Sequence, residues 1–317
     1  MLKRKIVEYA LSALLPGRSI CYNIRMRNRR LLVHAHFFYA SLASEIAACT
    51  RNFIDVCGAE AVEVVATYPE TKPEFAALLA GLLPQTGVKI VAVPNRGYDI
   101  GPFVCEVLNR YPLDSYDCLV KLHTKRDVDG WVNFRPVRGG EWRRVLLRFC
   151  ATPAKVRASL AAFARHPSLG MIAASRFINY AAGDFCPSTR RDCRDLLRKL
   201  GLRPAAPVSV AGTIFMVRAA LFKPLANRFT WTDFPEITPS NAHIDFNLVG
   251  SLELAFATLV AAQGYVVAEG VLPPGVALLG YRLFGALSRL VRFGSRTARR
   301  LVGDRALTAC LGRIMRG

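Results

Sequence analysis

Acidic residues are scarce in this 317-residue chain, with 23 Asp and Glu against 43 Lys and Arg and a net charge of +20. A chain so short of negative charge suits an anionic partner, and nucleic acid, anionic lipid and phosphate-bearing substrates are the candidates. Long apolar runs are also missing. Although 52% of residues are hydrophobic, no uninterrupted stretch approaches the roughly 18 residues of a membrane-spanning helix, which leaves a peripheral association with a membrane open. Paired cysteines are absent too: the nine (21, 49, 57, 105, 118, 150, 186, 193 and 310) are scattered, odd in number and form no C-x-x-C. Reduced, buried thiols in a cytoplasmic protein are therefore expected, with no disulfide framework or zinc site. Internal repeats, low-complexity segments, helix-turn-helix patterns and basic-aromatic RNA-binding patterns are lacking, so only charge argues for nucleic acid, and it is not expected as a partner. The opening Met1-Leu2-Lys3-Arg4-Lys5 begins like a signal peptide. The apolar run behind it contains Glu8 and stops at Pro16-Gly17-Arg18 without a small-residue cleavage site, so the segment is expected to be retained.

The location of the positive charge narrows its meaning. Residues 276–317 carry nine arginines against the single acid Asp304. On a helical projection Arg282, Arg289, Arg292, Arg296, Arg299 and Arg300 fall within roughly 100° of arc, facing Leu283, Phe284, Leu287, Leu290, Val291 and Leu301. A helix of this pattern lies in a membrane interface or packs its apolar face on the protein; the first reading is preferred and predicts an anionic membrane surface as a partner. A second basic cluster, Arg18, Arg25, Arg27, Arg29 and Arg30, can meet the same surface.

Between these ends the pattern alternates. Strands are predicted at 30–38, 61–67, 88–93, 118–123, 169–175, 208–217 and 265–268, and helices at 41–56, 72–83, 101–109, 141–149, 154–164, 191–200, 219–225 and 244–262. The repeated βα alternation predicts an α/β fold, Rossmann-like, with a mostly parallel sheet flanked by helices. Residues 124–140 and 176–208 read largely as loop. Three parts result: a basic segment over 1–28, an α/β body over 29–272 and, after Pro273-Pro274-Gly275, a basic amphipathic tail over 273–317.

Ligands of open α/β sheets bind at the carboxyl ends of strands. Two successive strand ends here are polar: Asn95-Arg96-Gly97-Tyr98-Asp99 after 88–93, and His123-Thr124-Lys125-Arg126 after 118–122. Their cations suit a phosphate-bearing ligand, with Arg96 the strongest contact candidate. Gly97 permits close backbone approach or merely a tight turn. Asp99 either binds a ligand hydroxyl or sits as a carboxylate at a helix start. His34 and His36 share a strand face and, lacking a third ligand, read as a hydrogen-bonded structural pair.

These segments, Asn95-Arg96-Gly97-Tyr98-Asp99-Ile100-Gly101-Pro102-Phe103 and Lys121-Leu122-His123-Thr124-Lys125, resemble the recurrent blocks of the rhamnan synthesis protein F family of bacterial glycosyltransferase-like proteins. The likeness extends from Leu32-Val33-His34-Ala35-His36 through Gly140-Glu141-Trp142-Arg143 to Ala211-Gly212-Thr213-Ile214-Phe215-Met216-Val217-Arg218. It implies a GT-A-like fold and transfer of a sugar, rhamnose from dTDP-rhamnose as first choice, to a lipid-linked cell-surface polysaccharide at the inner face of the cytoplasmic membrane. Donor-binding residues would be Asn95, Arg96, Gly97, Asp99, His123, Lys125 and Arg126; Gly212, Thr213 and Arg218 would border the sugar and acceptor, with Arg218 paired to Glu253 or to phosphate. Where many such enzymes place Asp-x-Asp for a metal, this chain has His123-Thr124-Lys125. Since Lys125 cannot be a hard oxygen ligand, no metal cofactor is expected, and Lys125 with Arg126 takes over the charge of the departing diphosphate. Glu253, with Asp245 as second candidate, is the expected general base. Its setting, Ser251-Leu252-Glu253-Leu254, lacks the His and Arg of the family's helix motif, which keeps open a non-catalytic sugar-nucleotide-binding subunit as the alternative.

Overall fold

The computed structural model describes residues 30–269 apart from 128, 133–134, 180–184, 204–205, 239 and 242–246. Asp245 and the arginine-bearing tail lie outside the described residues. The chain builds β1 (Leu31–His36), α1 (Ala43–Cys57), β2 (Val62–Pro69), α2 (Glu74–Leu82), β3 (Val88–Val93) and α3 (Ile100–Pro102), which continues as a π-helical turn over Phe103–Leu108. It goes on through β4 (Cys118–His123), a small hairpin of β5 (Gly130–Val132) and β6 (Arg135–Val137), α4 (Glu141–Leu146) and α5 (Pro153–Arg165). Then come β7 (Leu169–Ile172), β8 (Ile178–Asn179), α6 (Pro187–Lys199), β9 (Ser209–Val210), β10 (Phe215–Arg218), α7 (Asn247–Ala262) and β11 (Val266–Ala268).

Seven strands form the central sheet in the order β11-β7-β10-β4-β1-β2-β3. All neighbouring pairs are parallel except those of β10, which runs antiparallel to both β4 and β7. The α/β sheet flanked by helices agrees with the alternation in the sequence; the reversed strand was not foreseen. Neither was the hairpin in the 124–140 segment. The predicted strand over 208–217 is in fact two pieces, β9 and β10, separated by a turn where Gly212 (φ +83°) and Thr213 (φ +49°) are both left-handed. An apolar run that continues across a turn looks like one strand, because periodicity carries no information about φ.

Helices cover both faces, as buried parallel strands require. Val33, Ala35, Val64, Val120 and Leu122 face a core closed by α1, α2, α4 and α5. Leu32, Val65, Leu119, Phe215 and Val217 face a second core closed by α3, the 3-10 turn Ala219–Leu225 and α7. Helix α5 starts at Thr152-Pro153, where the threonine hydroxyl accepts from Lys155 N at 3.3 Å and proline fills the first turn. Among the described residues no helix is long and apolar enough to cross a membrane.

The second face changes character toward the carboxyl ends of the strands. In β1 the side chains on that face run Leu32, His34, His36, and in β4 they run Leu119, Lys121, His123; the two rows stand in register. The other face stays apolar throughout. A polar row is thus built into the sheet beneath α3 and α7, and it forms the floor of the site.

Candidate functional site

The loop after β3 delivers the first wall. Asn95 Nδ2 donates to Ile237 O at 2.7 Å, Arg96 Nε donates to Phe234 O at 2.8 Å, and Gly97 N donates to Pro235 O at 3.0 Å. These residues, expected at the donor, are stitched to the 234–237 segment. Gly97 is needed for packing: at φ +67° a Cβ there would lie 2.5 Å from the Phe234 ring. The close approach read from this glycine is filled by protein. With the loop pinned, Asp99 reaches the head of α3. Its side chain caps no backbone N–H there and turns instead to the floor.

On the floor, Lys121 is fully buried and its ammonium pairs with Asp99 Oδ2. The same ammonium donates to Thr213 O at 3.2 Å and to Thr213 Oγ1 at 3.0 Å, while the Thr213 hydroxyl donates to Asp99 Oδ2 at 2.7 Å. His123 Nε2 donates to Gly212 O at 2.7 Å. From above, Glu253 on α7 accepts from Gly212 N at 3.4 Å. The turn between β9 and β10 therefore has its carbonyls held from the sheet and one N–H held from the helix. Only the antiparallel sense of β10 makes this possible, since it sets the beginning of that strand beside the carboxyl end of β4.

Electrostatics follow from burial. Desolvation pushes the pKa of His123 down to about 4 and that of His36 down to about 3, and it holds His34 well below the usual range. All three are neutral at physiological pH. Desolvation alone would raise the Asp99 carboxyl, but the neighbouring His123, Lys121 and Lys125 outweigh it and hold Asp99 well below the carboxylate range. With His123 neutral, the lysines are the operative cations. Burial lowers the Lys121 pKa, opposed by Asp99. Glu253 is raised: burial is the largest cause and Asp99 adds to it, against Lys125, the Gly212 N–H and Lys121. A carboxylate shifted toward neutrality beside cations is a competent proton acceptor.

Lys125 is half-buried, its ammonium 6.0 Å from the centre of the Trp142 ring. Its backbone is fixed by Arg143, which donates to Lys125 O at 3.2 Å and pairs with Glu45 and Asp127. Trp142 is buried against Gly212, where a Cβ would lie 3.0 Å from its Cζ2. The Gly140-Glu141-Trp142-Arg143 block therefore supports the site from behind. Arg126 is exposed. Thr124 ties the ends of β4 and β1 together, its hydroxyl accepting from Phe38 N at 2.8 Å and Tyr39 N at 3.1 Å. His34 Nε2 and His36 Nδ1 share Thr67 Oγ1, each at 2.9 Å, a hydrogen-bonded pair.

Arg218 does not join the group. It lies opposite Cys118 at the far end of β4, where its guanidinium donates to Leu169 O at 2.8 Å and to Phe163 O at 2.9 Å. The expected pairing with Glu253 is thus replaced by capping of the end of α5, because an antiparallel β10 carries its last residue away from the site. Lys121 was missed by the sequence reading, although Lys121, His123 and Lys125 alternate and so share a face. A cleft of about 210 Å³ at the opposite sheet edge, among Arg30, Glu63, Lys89 and Tyr116, is remote from this chemistry, and its Glu63 and Lys89 pair with each other at 2.7 Å. Among the described residues no three His, Cys, Asp or Glu side chains are grouped to hold a metal.

The blocks that converge here, from β1, the β3 and β4 ends, α4 and the 211–218 segment, are spread along almost the whole body. The family model described as "Rhamnan synthesis protein F" matches residues 4–265. The chain belongs to the rhamnan synthesis protein F family. Membership ties it to the synthesis of rhamnan polysaccharide. No curated protein matches the chain. The family match takes in every described residue of the site.

Proposed function

We propose that the chain is a glycosyltransferase that moves a sugar, rhamnose as first choice, from a nucleotide-sugar donor to a lipid-linked polysaccharide acceptor. The observation that carries this reading is the seat of Glu253 on the Gly212–Thr213 turn at the carboxyl edge of the sheet, the same turn that Asp99 holds through the Thr213 hydroxyl, with the charges of Lys125 and Asp99 near enough to act on it. Glu253 removes the proton of the acceptor hydroxyl as its oxygen bonds to the anomeric carbon. The bond from that carbon to the diphosphate oxygen breaks, and its electron pair leaves with the diphosphate. Lys125, with exposed Arg126 beside it, stabilises the charge that develops there. Transfer without a divalent metal is part of the proposal, since an ammonium stands where a metal-binding carboxylate would be required. The mostly parallel sheet with one reversed strand supports a GT-A-like reading of the fold.

The test is release of nucleoside diphosphate from a panel of nucleotide sugars, with lipid acceptor extract and in chelator. Acceptor-dependent release that chelator leaves unchanged is expected, and Lys125→Ala should lower it by about a hundredfold, in the range of losing one charge-stabilising group. Donor binding without release under every condition would instead make the chain a non-catalytic sugar-nucleotide-binding subunit. Loss of release in chelator, restored by manganese or magnesium, would refute metal independence.

The arginines of the basic tail support a location of this activity at the inner face of the cytoplasmic membrane, where anionic lipid attracts them and the acceptor would be presented. Truncation before Val276 is expected to shift the protein from the membrane to the supernatant in flotation with anionic vesicles while donor affinity is kept. Continued flotation of the truncated chain would remove this role from the tail.

A further inference from the structure

We propose that Lys121 is a positioning residue, which from its buried place in β4 holds the Gly212–Thr213 turn in its left-handed form and thereby delivers the Gly212 N–H to the Glu253 carboxylate. The inference rests on the reading of Glu253 as the base and deepens it.

Lys121 cannot touch substrate. Its side chain has 0% exposure, it stands on a strand bordered on both sides by β1 and β10, and Phe103 lies 5.6 Å from its ammonium. Its three hydrogen-bond partners are Asp99 Oδ2, Thr213 O and Thr213 Oγ1. Two of these belong to a β-branched residue at φ +49°, a conformation that such a side chain adopts only when its surroundings impose it. The imposition is visible. Lys121 takes both oxygens of Thr213, Asp99 accepts from its hydroxyl, and His123 takes the preceding carbonyl. A buried charge pair is a poor source of net stability, but it is a directional clamp, and its product is the orientation of the Gly212 N–H that meets Glu253. The strain is stored at the turn and the benefit is collected on α7.

Among the described residues the charged groups acting on Glu253 are Lys125, Asp99 at the head of α3 and Lys121 of β4; the sequence of α7 itself holds no other charge. Asp99 raises the Glu253 pKa and Lys121 lowers it. The Gly212 N–H bond lowers it as well, and because Asp99 acts more strongly than either that bond or Lys121, a change at Thr213 that alters no charge reads the bond most directly.

The experiment is a carboxyl ¹³C NMR titration of Glu253, assigned against Glu253→Gln, in the full chain and without substrate. In Thr213→Ala, which alters no charge, the Glu253 pKa is expected to move up, because a turn no longer gripped by its hydroxyl withdraws the N–H. Thr213→Ser, which keeps the hydroxyl, should leave it in place. Turnover should follow, falling about a hundredfold in the alanine variant and holding in the serine variant. In Lys121→Met/Asp99→Asn the readout is the Gly212 amide itself, which should lose its protection from hydrogen exchange. An unmoved Glu253 pKa in Thr213→Ala overturns the proposal, and so does a Gly212 amide that stays protected in the folded double variant. A wild type that shows this titration pattern yet releases no nucleoside diphosphate would refute the transferase reading alone.

Discussion

Glu253→Gln is expected to reduce sugar transfer by ~10²–10⁴-fold, the ordinary contribution of a positioned general base, while leaving nucleotide binding and folding intact. The amide keeps an oxygen to accept from Gly212 N, so the turn stays in place. It also removes a carboxylate whose burial is unfavourable, so thermal stability should hold or rise. What it cannot do is take a proton. A companion expectation concerns pH: burial pushes the Glu253 carboxyl up, and the base must be ionised to act. Turnover should therefore fall as pH drops through a value above the ordinary carboxylate range, and that limb should vanish from the residual rate of the variant. Steady-state nucleoside diphosphate release across pH, with calorimetric binding alongside, makes both comparisons. Undiminished turnover in Glu253→Gln would remove this residue from the mechanism.

The second large effect is on stability. Asp99→Ala should cost ~3–5 kcal/mol at neutral pH, because it leaves a fully buried ammonium without its charge partner. Urea unfolding of the body should register the loss as a lower midpoint with an unchanged slope. The sign of its pH dependence is determined by both partners. In the native protein the Asp99 pKa lies well below that of an exposed carboxylate, so its contribution is complete above the ordinary carboxylate range and is lost as pH falls through the lower folded value. In Asp99→Ala the lone Lys121, already lowered by burial, sheds its proton more readily, so the deficit should shrink as pH rises. A deficit that grows with pH, or a midpoint like that of wild type, would mean that the pair does not carry this load.

The two predictions divide the site into a reacting part and a supporting part, and the sequence made them unequally legible. Glu253 was found through the family's helix motif, Lys125 through the block after β4. Lys121, in that same block, was passed over, since nothing local to the strand shows what a lysine within it pairs with. Its meaning depends on Asp99, 22 residues earlier, and Thr213, 92 residues later. Arg218 was read the other way round: it was assigned to the site through the family's 211–218 block, but it stands three residues after β10's first position, at the end of the strand remote from the site. Asn95 and Arg96 looked like ligand contacts because they are polar and follow an apolar strand. Their hydrogen bonds go to carbonyls of Phe234 and Ile237, partners too distant in sequence for local pattern to reveal.

By itself the sequence determined the α/β alternation, the position of most strands and helices, the family and the strand ends where chemistry gathers. The alternation, the elements and the strand ends follow from local periodicity and short-range composition, which act within a few residues; the family follows from the resemblance of the motif blocks and the match over residues 4–265. Only the tertiary structure decided that β10 runs backward between β4 and β7, that a left-handed turn breaks what looked like one strand, and that Lys121, Asp99, Thr213 and Glu253 belong to one arrangement. Those facts rest on strand direction and on contacts between distant segments, which are settled when the sheet closes and its buried charges must find partners.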